Sequence, residues 1–221
     1  MKKFVKLLPI ALAFVLASPV FAENLAPGTA TGQTSNASAE LQLTLPPFID
    51  ITTQETNRTS SVTFLDDYSN ITITTPMLAQ FQVITNSQTG DAVQLTATAG
   101  NTAYNALRAS SDNDFYLVFA NTEKVPDEQS IISATSATPK SQENPNAFAV
   151  KVTPNVDPVT NTGATQVTPN YEGTNKVKYP LTNGIYTFKY SLATTALDST
   201  FSTLDTNGVY KSTMVLTQTT P

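Results

Sequence analysis

From Ala37 to Ile51 every second residue is apolar or proline: Ala37, Ala39, Leu41, Leu43, Leu45, Pro47, Ile49 and Ile51. The residues between them are polar or proline, with Phe48 the one exception. Side chains of an extended chain point alternately to opposite sides, so this spacing lays an unbroken apolar row along one side of a strand. Its 15 residues exceed an ordinary strand of about 5–6. Such a strand either crosses two sheets, kinking at Pro46-Pro47, or serves two partners. The Phe48 to Ile51 half is expected to belong to the main core. The leucine-bearing half, Ala37 to Leu45, fills either its own fold or a neighbour's, and that choice separates a monomeric domain from a polymer.

The chain opens with Lys2, Lys3 and Lys6, an apolar run from Leu7 to Leu16, and Ser18-Pro19-Val20-Phe21-Ala22. A basic start, a short apolar core and a terminal small residue form the pattern of a secretory signal peptide over residues 1–22, cleaved after Ala22. A membrane anchor needs about 20 apolar residues, so no transmembrane segment is expected here or later in the chain. The protein is expected to be exported, to the periplasm, the cell surface or the medium, and the short leader with paired lysines looks bacterial. Residues 23–36, small and polar with no periodicity, have the character of a flexible leader.

Cleavage would remove three lysines and no acid, leaving nine bases against 17 acids and a net charge of −8. A surface this acidic does not bind a polyphosphate backbone by counterion release, so nucleic acid is not an expected partner. The chain holds no cysteine, histidine or tryptophan. The usual general base, the thiol nucleophile and the nitrogen and sulfur ligands of zinc are therefore missing. No nucleophile elbow, phosphate-cradling glycine loop or dinucleotide fingerprint occurs. The expectation is a protein that is not an enzyme, with no catalytic residues, metal or cofactor.

Threonine supplies 37 of the 221 residues, and β-branched side chains suit a pleated, half-buried surface. Alternation recurs over Val62 to Leu65, Ile71 to Ile73, Met77 to Thr85 and Val93 to Ala97, with turn residues between. That rhythm is the pattern of an all-β sandwich. Asn101 to Asp114 is mostly polar, and a short helical turn is expected around Ala103 to Arg108. Phe115 to Phe119 carries large side chains on both faces, as a central strand does.

Half of the 14 prolines fall between Asn121 and Pro180. Proline cannot donate to a ladder, so continuous sheet is not expected there apart from one strand, Ala147 to Val152. The rest of residues 121–180 is expected to form long excursions, either decoration or a recognition or assembly surface. A small echo closes the chain: Thr182-Asn183-Gly184-Ile185-Tyr186 and Thr206-Asn207-Gly208-Val209-Tyr210. Convergent turn chemistry explains it better than duplication. In the final strand Tyr210, Met214 and Leu216 share a face with Ser212. The expectation is one domain over residues 37–221 with about ten strands.

Asp112-Asn113-Asp114 and Asp66-Asp67 are the acidic clusters that suggest a cation, but neither has the ligand spacing of a calcium loop, and turn formation accounts for them better.

A signal peptide, an alternating N-terminal strand running into Pro47-Phe48-Ile49-Asp50-Ile51, and a final strand opening with Gly208-Val209-Tyr210-Lys211-Ser212 are similar to the major pilins of colonisation-factor-type chaperone–usher fimbriae. The resemblance covers the two ends of the chain. It implies an immunoglobulin-like antiparallel sandwich lacking a strand, with the gap filled by the N-terminal strand of the next subunit. The donor residues it implies are Ala37, Ala39, Leu41, Leu43 and Leu45, and the partners are copies of the chain or other surface subunits. In that family the donor strand closely follows the cleavage site, whereas 14 residues intervene here. The C-terminal segment is also similar to bacterial proteins that bind peptidoglycan through a Trp-x-Leu motif, which this chain lacks. A cell-wall or carbohydrate-binding module, stacking glycan on tyrosines and phenylalanines of the excursions, is the alternative to a structural or adhesive fimbrial (pilus) subunit.

Overall fold

The computed structural model describes residues 40–54, 57–86, 91–109, 115–134, 146–196, 201 and 204–219. The signal peptide, the leader, Ala37, Ala39, Asp112 and Asp114 lie outside them. Leu45–Pro221 forms one compact unit; in the other, Met1–Thr44, the described residues 40–44 are exposed and form no strand.

The described residues form twelve strands and one helix. In chain order these are β1 (Ile49–Thr53), β2 (Val62–Phe64), β3 (Ile71–Ile73), β4 (Leu78–Thr85), β5 (Asp91–Ala99), β6 (Leu107–Ala109) and β7 (Phe115–Asn121). There follow α1 (Glu128–Ser133), β8 (Ala147–Pro158), β9 (Asn170–Tyr171), β10 (Val177–Leu181), β11 (Gly184–Ala196) and β12 (Tyr210–Thr219). All pairings are antiparallel, along the path β1-β4-β11-β8-β7-β12-β5-β10-β9. β2 joins β3, β3 joins β11 and β6 joins β7. The sheet is not closed into a barrel, since β1 and β9 end the path unpaired with each other.

Strands remote along that path meet through their side chains. Tyr179 of β10 packs edge-on against Phe188 of β11 at 5.2 Å between ring centroids. Phe115 of β7 touches both Tyr190 of β11 and Tyr171 of β9. The sheet thus returns over its own apolar face, and the core lies between its parts. Alternation places the core residues as the sequence suggests: Phe81 and Val83 on β4, and Val93, Leu95, Ala97 and Ala99 on β5, are buried. β7 is buried on both faces between β6 and β8.

The proline-rich region departs from expectation. β8 runs on through Pro154 to Pro158, and Pro180 lies inside β10. The pairing explains the tolerance. β8 pairs with β7 only from Ala147 to Lys151, and afterwards β11 is its one ladder partner. Likewise β10 pairs with β9 only at Val177 and Lys178, so Pro180 has β5 alone beside it. On a one-sided strand alternate N–H groups point away from the ladder, and proline at such a position forfeits nothing. Near Ala103 to Arg108 there is no helical turn; the chain bends, bridges Thr98 with Asn105, and enters β6. The short helix lies instead at Glu128–Ser133, where the Asp127 carboxylate accepts from the Ser130 N–H and hydroxyl at 2.7 Å each. Ile131 anchors it in the core.

The echoed pentapeptide is a repeated corner. Gly184 and Gly208 have φ of +142° and +145°, a region that side chains beyond glycine avoid. In both copies the tyrosine hydroxyl donates to the threonine carbonyl four residues earlier, Tyr186 to Thr182 at 3.1 Å and Tyr210 to Thr206 at 2.7 Å. The first corner carries the chain from β10 to β11, which do not pair with each other. The second leads into β12 and is tied by the fully buried Asn121, whose amide reaches the carbonyls of Thr206 and Asn207 at 3.4 Å.

Two phenols remain unusual. Tyr179 and Tyr190 are buried, and neither hydroxyl completes a hydrogen bond among the described residues. Burial pushes both above their ordinary value.

Replacing Gly184 by Ala would set a Cβ 2.4 Å from the Ala164 nitrogen, and is expected to cost about 2 kcal/mol or more in urea unfolding. Gly173→Ala, with Asn175 no nearer than 3.9 Å, should cost about 1 kcal/mol. The two phenols give a pH dependence of defined sign. The folded chain favours their neutral form, so their contribution is complete below the unfolded value near 10 and is lost as pH rises above it. Phenolate absorbance of these two rings is expected to appear only together with alkaline unfolding.

Candidate functional site

The candidate elements are an open strand edge and, far from it in sequence, an exposed alternating apolar segment, Leu41 to Leu45. β12 pairs with β7 only at Tyr210 and Lys211; from Ser212 to Thr219 its one paired neighbour is β5. On β12 Leu216 is buried, while Tyr210, Ser212, Thr213 and Met214 are half-buried. Tyr210 stacks on Phe148 at 5.0 Å. A strand with one ladder partner and a partly uncovered inner face is an unfinished edge.

β1 is the second such edge. It pairs only with β4, and approaches β12 to within 8 Å at some Cα pairs without sharing a ladder with it. Ile49 and Ile51 point to the core and are half-buried, as are Met77 and Ala79 at the start of β4. Around β1 and β12, therefore, apolar side chains that the rest of the sheet would cover completely are left partly open.

The 15-residue strand expected from Ala37 to Ile51 is reduced to its second half. Residues 40–48 belong to no strand, and Leu41, Leu43 and Leu45 are 94%, 86% and 82% exposed. The register gives the reason: Ile49 faces Thr85, the last residue of β4, so a chain extended backwards from Ile49 runs past the end of its partner. Phe48, expected to join the core, is exposed.

Asn86 holds this junction, a role that the sequence signalled only as the start of a turn. Its carboxamide oxygen accepts from the Phe48 N–H at 2.8 Å, and its amide donates to the Pro46 carbonyl at 3.0 Å. The backbone N–H of Asn86 donates to the Phe48 carbonyl at 3.3 Å. An asparagine side chain can mimic a peptide group in this way and complete a ladder that has run out of strand.

Of the acidic clusters, Asp66-Asp67 lies among the described residues and serves a turn. Asp67 accepts from the N–H and hydroxyl of Ser69 at 3.0 and 2.6 Å, which hold its carboxyl below the usual range. Of the aromatic residues in 121–180, Phe148 and Tyr179 are buried and Tyr171 is half-buried with an edge-on contact to Phe115. Among the described residues no group of three or more acids could hold a metal ion, and no helix is long and apolar enough to cross a membrane.

Comparison with protein-family models, curated proteins and solved structures finds no match for this chain.

Asn86→Ala is expected to lower stability by about 1 kcal/mol, the worth of one or two exposed hydrogen bonds, and to speed chymotryptic cleavage after Phe48. An unchanged cleavage rate would show that the junction is ordered by something else.

Proposed function

We propose that the chain is an exported, non-enzymatic structural subunit of a bacterial surface fibre, an immunoglobulin-like sandwich that lacks its last strand and is completed by a neighbouring copy. The observation that carries this reading is the pairing of two deficits. Three leucines at alternate positions are exposed, and β12 presents a free ladder edge beside half-covered Tyr210 and Met214. An added strand would satisfy both at once, its main chain hydrogen-bonding along β12 and its leucines entering the half-open apolar edge. Full burial contributes on the order of 1.5–3 kcal/mol for each leucine before ordering costs.

The order of pairing supports the sandwich. β1-β4-β11-β8 and β12-β5-β10 form two ladder runs joined through β7, with the C-terminal strand at the edge of the second. A further strand beside β12, next to β1, would complete that run. The low charge of the exposed strand faces and the absence of histidine and cysteine fit a structural role and supply no reaction centre.

The test uses the mature chain, residues 23–221, and a truncation lacking residues 23–45. The full mature chain is expected to form oligomers that survive dilution, and the truncation to remain monomeric with a lowered Tm. A peptide of residues 37–45 added in excess should raise the Tm of the truncation by several degrees through mass action, and the same peptide carrying Leu43→Asp should not. A mature chain that stays monomeric at high concentration, with unchanged stability after truncation, overturns the proposal.

A further inference from the structure

A cavity of about 310 Å³ lies away from the strand edge, lined by Tyr104, Asn105, Arg108, Glu128, Thr174 and Asn175 among others. Its volume is at the lower end of the range for small-molecule sites. Three segments remote in sequence build it: the bend before β6, the first turn of α1, and the turn between β9 and β10.

Arg108 is half-buried, and its Nη1 donates to the carbonyls of Asn105 and Leu107 at 3.0 and 2.8 Å. These bonds bend the guanidinium back against its own strand. No carboxylate pairs with it among the described residues, although Glu128 lines the same cavity. A half-buried cation without an acid partner is costly, and burial disfavours its charge. Glu128 is exposed, and neither its carboxylate nor the half-buried Asn175 side-chain amide has a hydrogen bond or ion pair among the described residues. Asn105, by contrast, is committed to the fold: its oxygen accepts from the Leu107 N–H at 2.9 Å and its amide donates to the Asn175 carbonyl at 3.3 Å. It therefore fixes the two sides of the cavity relative to each other.

We infer that this cavity is a saccharide site, in which a guanidinium and a carboxylate that line one space without closing on each other are bridged by vicinal hydroxyls of a neutral pyranose. A hydroxyl accepts and donates together, so adjacent sugar hydroxyls accept from Arg108 and donate to Glu128. The free amide of Asn175 is bifunctional in the same sense. Tyr104, more than a third exposed, offers a ring face for the C–H side of the sugar. Glu128 disfavours an anionic ligand, because a second carboxylate or a phosphate in so small a space would be repelled. The site does not depend on strand exchange, and it locates glycan recognition outside residues 121–180 in one essential part, the Tyr104 to Arg108 bend.

The test is saturation-transfer NMR, which reads the ligand whatever the size of the protein assembly. The exported chain is titrated with glucose, galactose, mannose and N-acetylglucosamine, with glycine as a zwitterion that could also span the two charges and sodium acetate as an anion. At least one sugar is expected to give a saturable signal. Glu128→Gln and Tyr104→Ala should each weaken it about tenfold, the worth of one charged hydrogen bond or stacking contact, with thermal unfolding unchanged. Arg108→Lys, which keeps the charge and loses the planar fork, should weaken it similarly. No saturable signal from any of the four sugars, a signal indifferent to all three substitutions, or binding of glycine or acetate in place of sugar would each overturn the inference.

Discussion

The hydroxyl of Tyr186 holds the corner on which the rest of the sheet is hung. It donates to the Thr182 carbonyl and lies within hydrogen-bond distance of the N–H groups of Thr182 and Thr165 and of the Thr182 hydroxyl. One buried oxygen thus ties the crossing from β10 to β11 to the segment around Thr165. The crossing sets where β11 starts, and β11 is the longest strand, paired with β4 along one edge and β8 along the other. Its inward side chains Tyr186, Phe188, Tyr190 and Leu192 form the middle of the core. β1 hangs on β4, so the open edge at the start of the sheet inherits its position from this corner.

What alternation made legible was the set of strands buried on one face. Val93, Leu95 and Ala97 on β5, or Phe81 and Val83 on β4, keep a period of two, and that period is itself a packing statement. The twelve strands exceed the expected ten because β6, β9 and β10 are short or interrupted by proline and show no period long enough to read. Pro154, Pro158 and Pro180 misled for a different reason. Proline forbids a ladder bond on one side of a strand, and sequence does not say which strands have a single neighbour. α1 was hidden in the same region, although Pro126-Asp127 followed by Ser130 is a start signal once a capping asparate is looked for. The echoed pentapeptide was visible as turn chemistry; that its tyrosines close the corner through their own hydroxyls is a tertiary fact.

The candidate site was legible in part. Leucines at alternate positions were plain, and so was the shared face of Tyr210, Met214 and Leu216. The break between the two halves of Ala37 to Ile51 was marked by Pro46-Pro47. Asn86, which makes the break a defined joint, was indistinguishable from any turn asparagine. The charged cavity escaped notice altogether, since Arg108, Glu128 and Asn175 are far apart in sequence and carry no spacing that signals a site.

The joint bears directly on which sheet the leucines could complete. β4 ends at Thr85, opposite Ile49, and Asn86 then takes the hydrogen bonds of Phe48 and Pro46 that another strand residue would have taken. Pro46 and Pro47 have no N–H to offer a ladder. A straight continuation of β1 along β4 is therefore closed to Leu45 and the residues before it, by register and by chemistry together. Under the proposed strand exchange, a segment from another copy would not have to continue β1 along β4, and it would bring free N–H and carbonyl groups to the β12 edge. An exposed apolar row and an open strand edge are each a liability in a monomer. Under the proposed exchange between copies, the two features would be complementary.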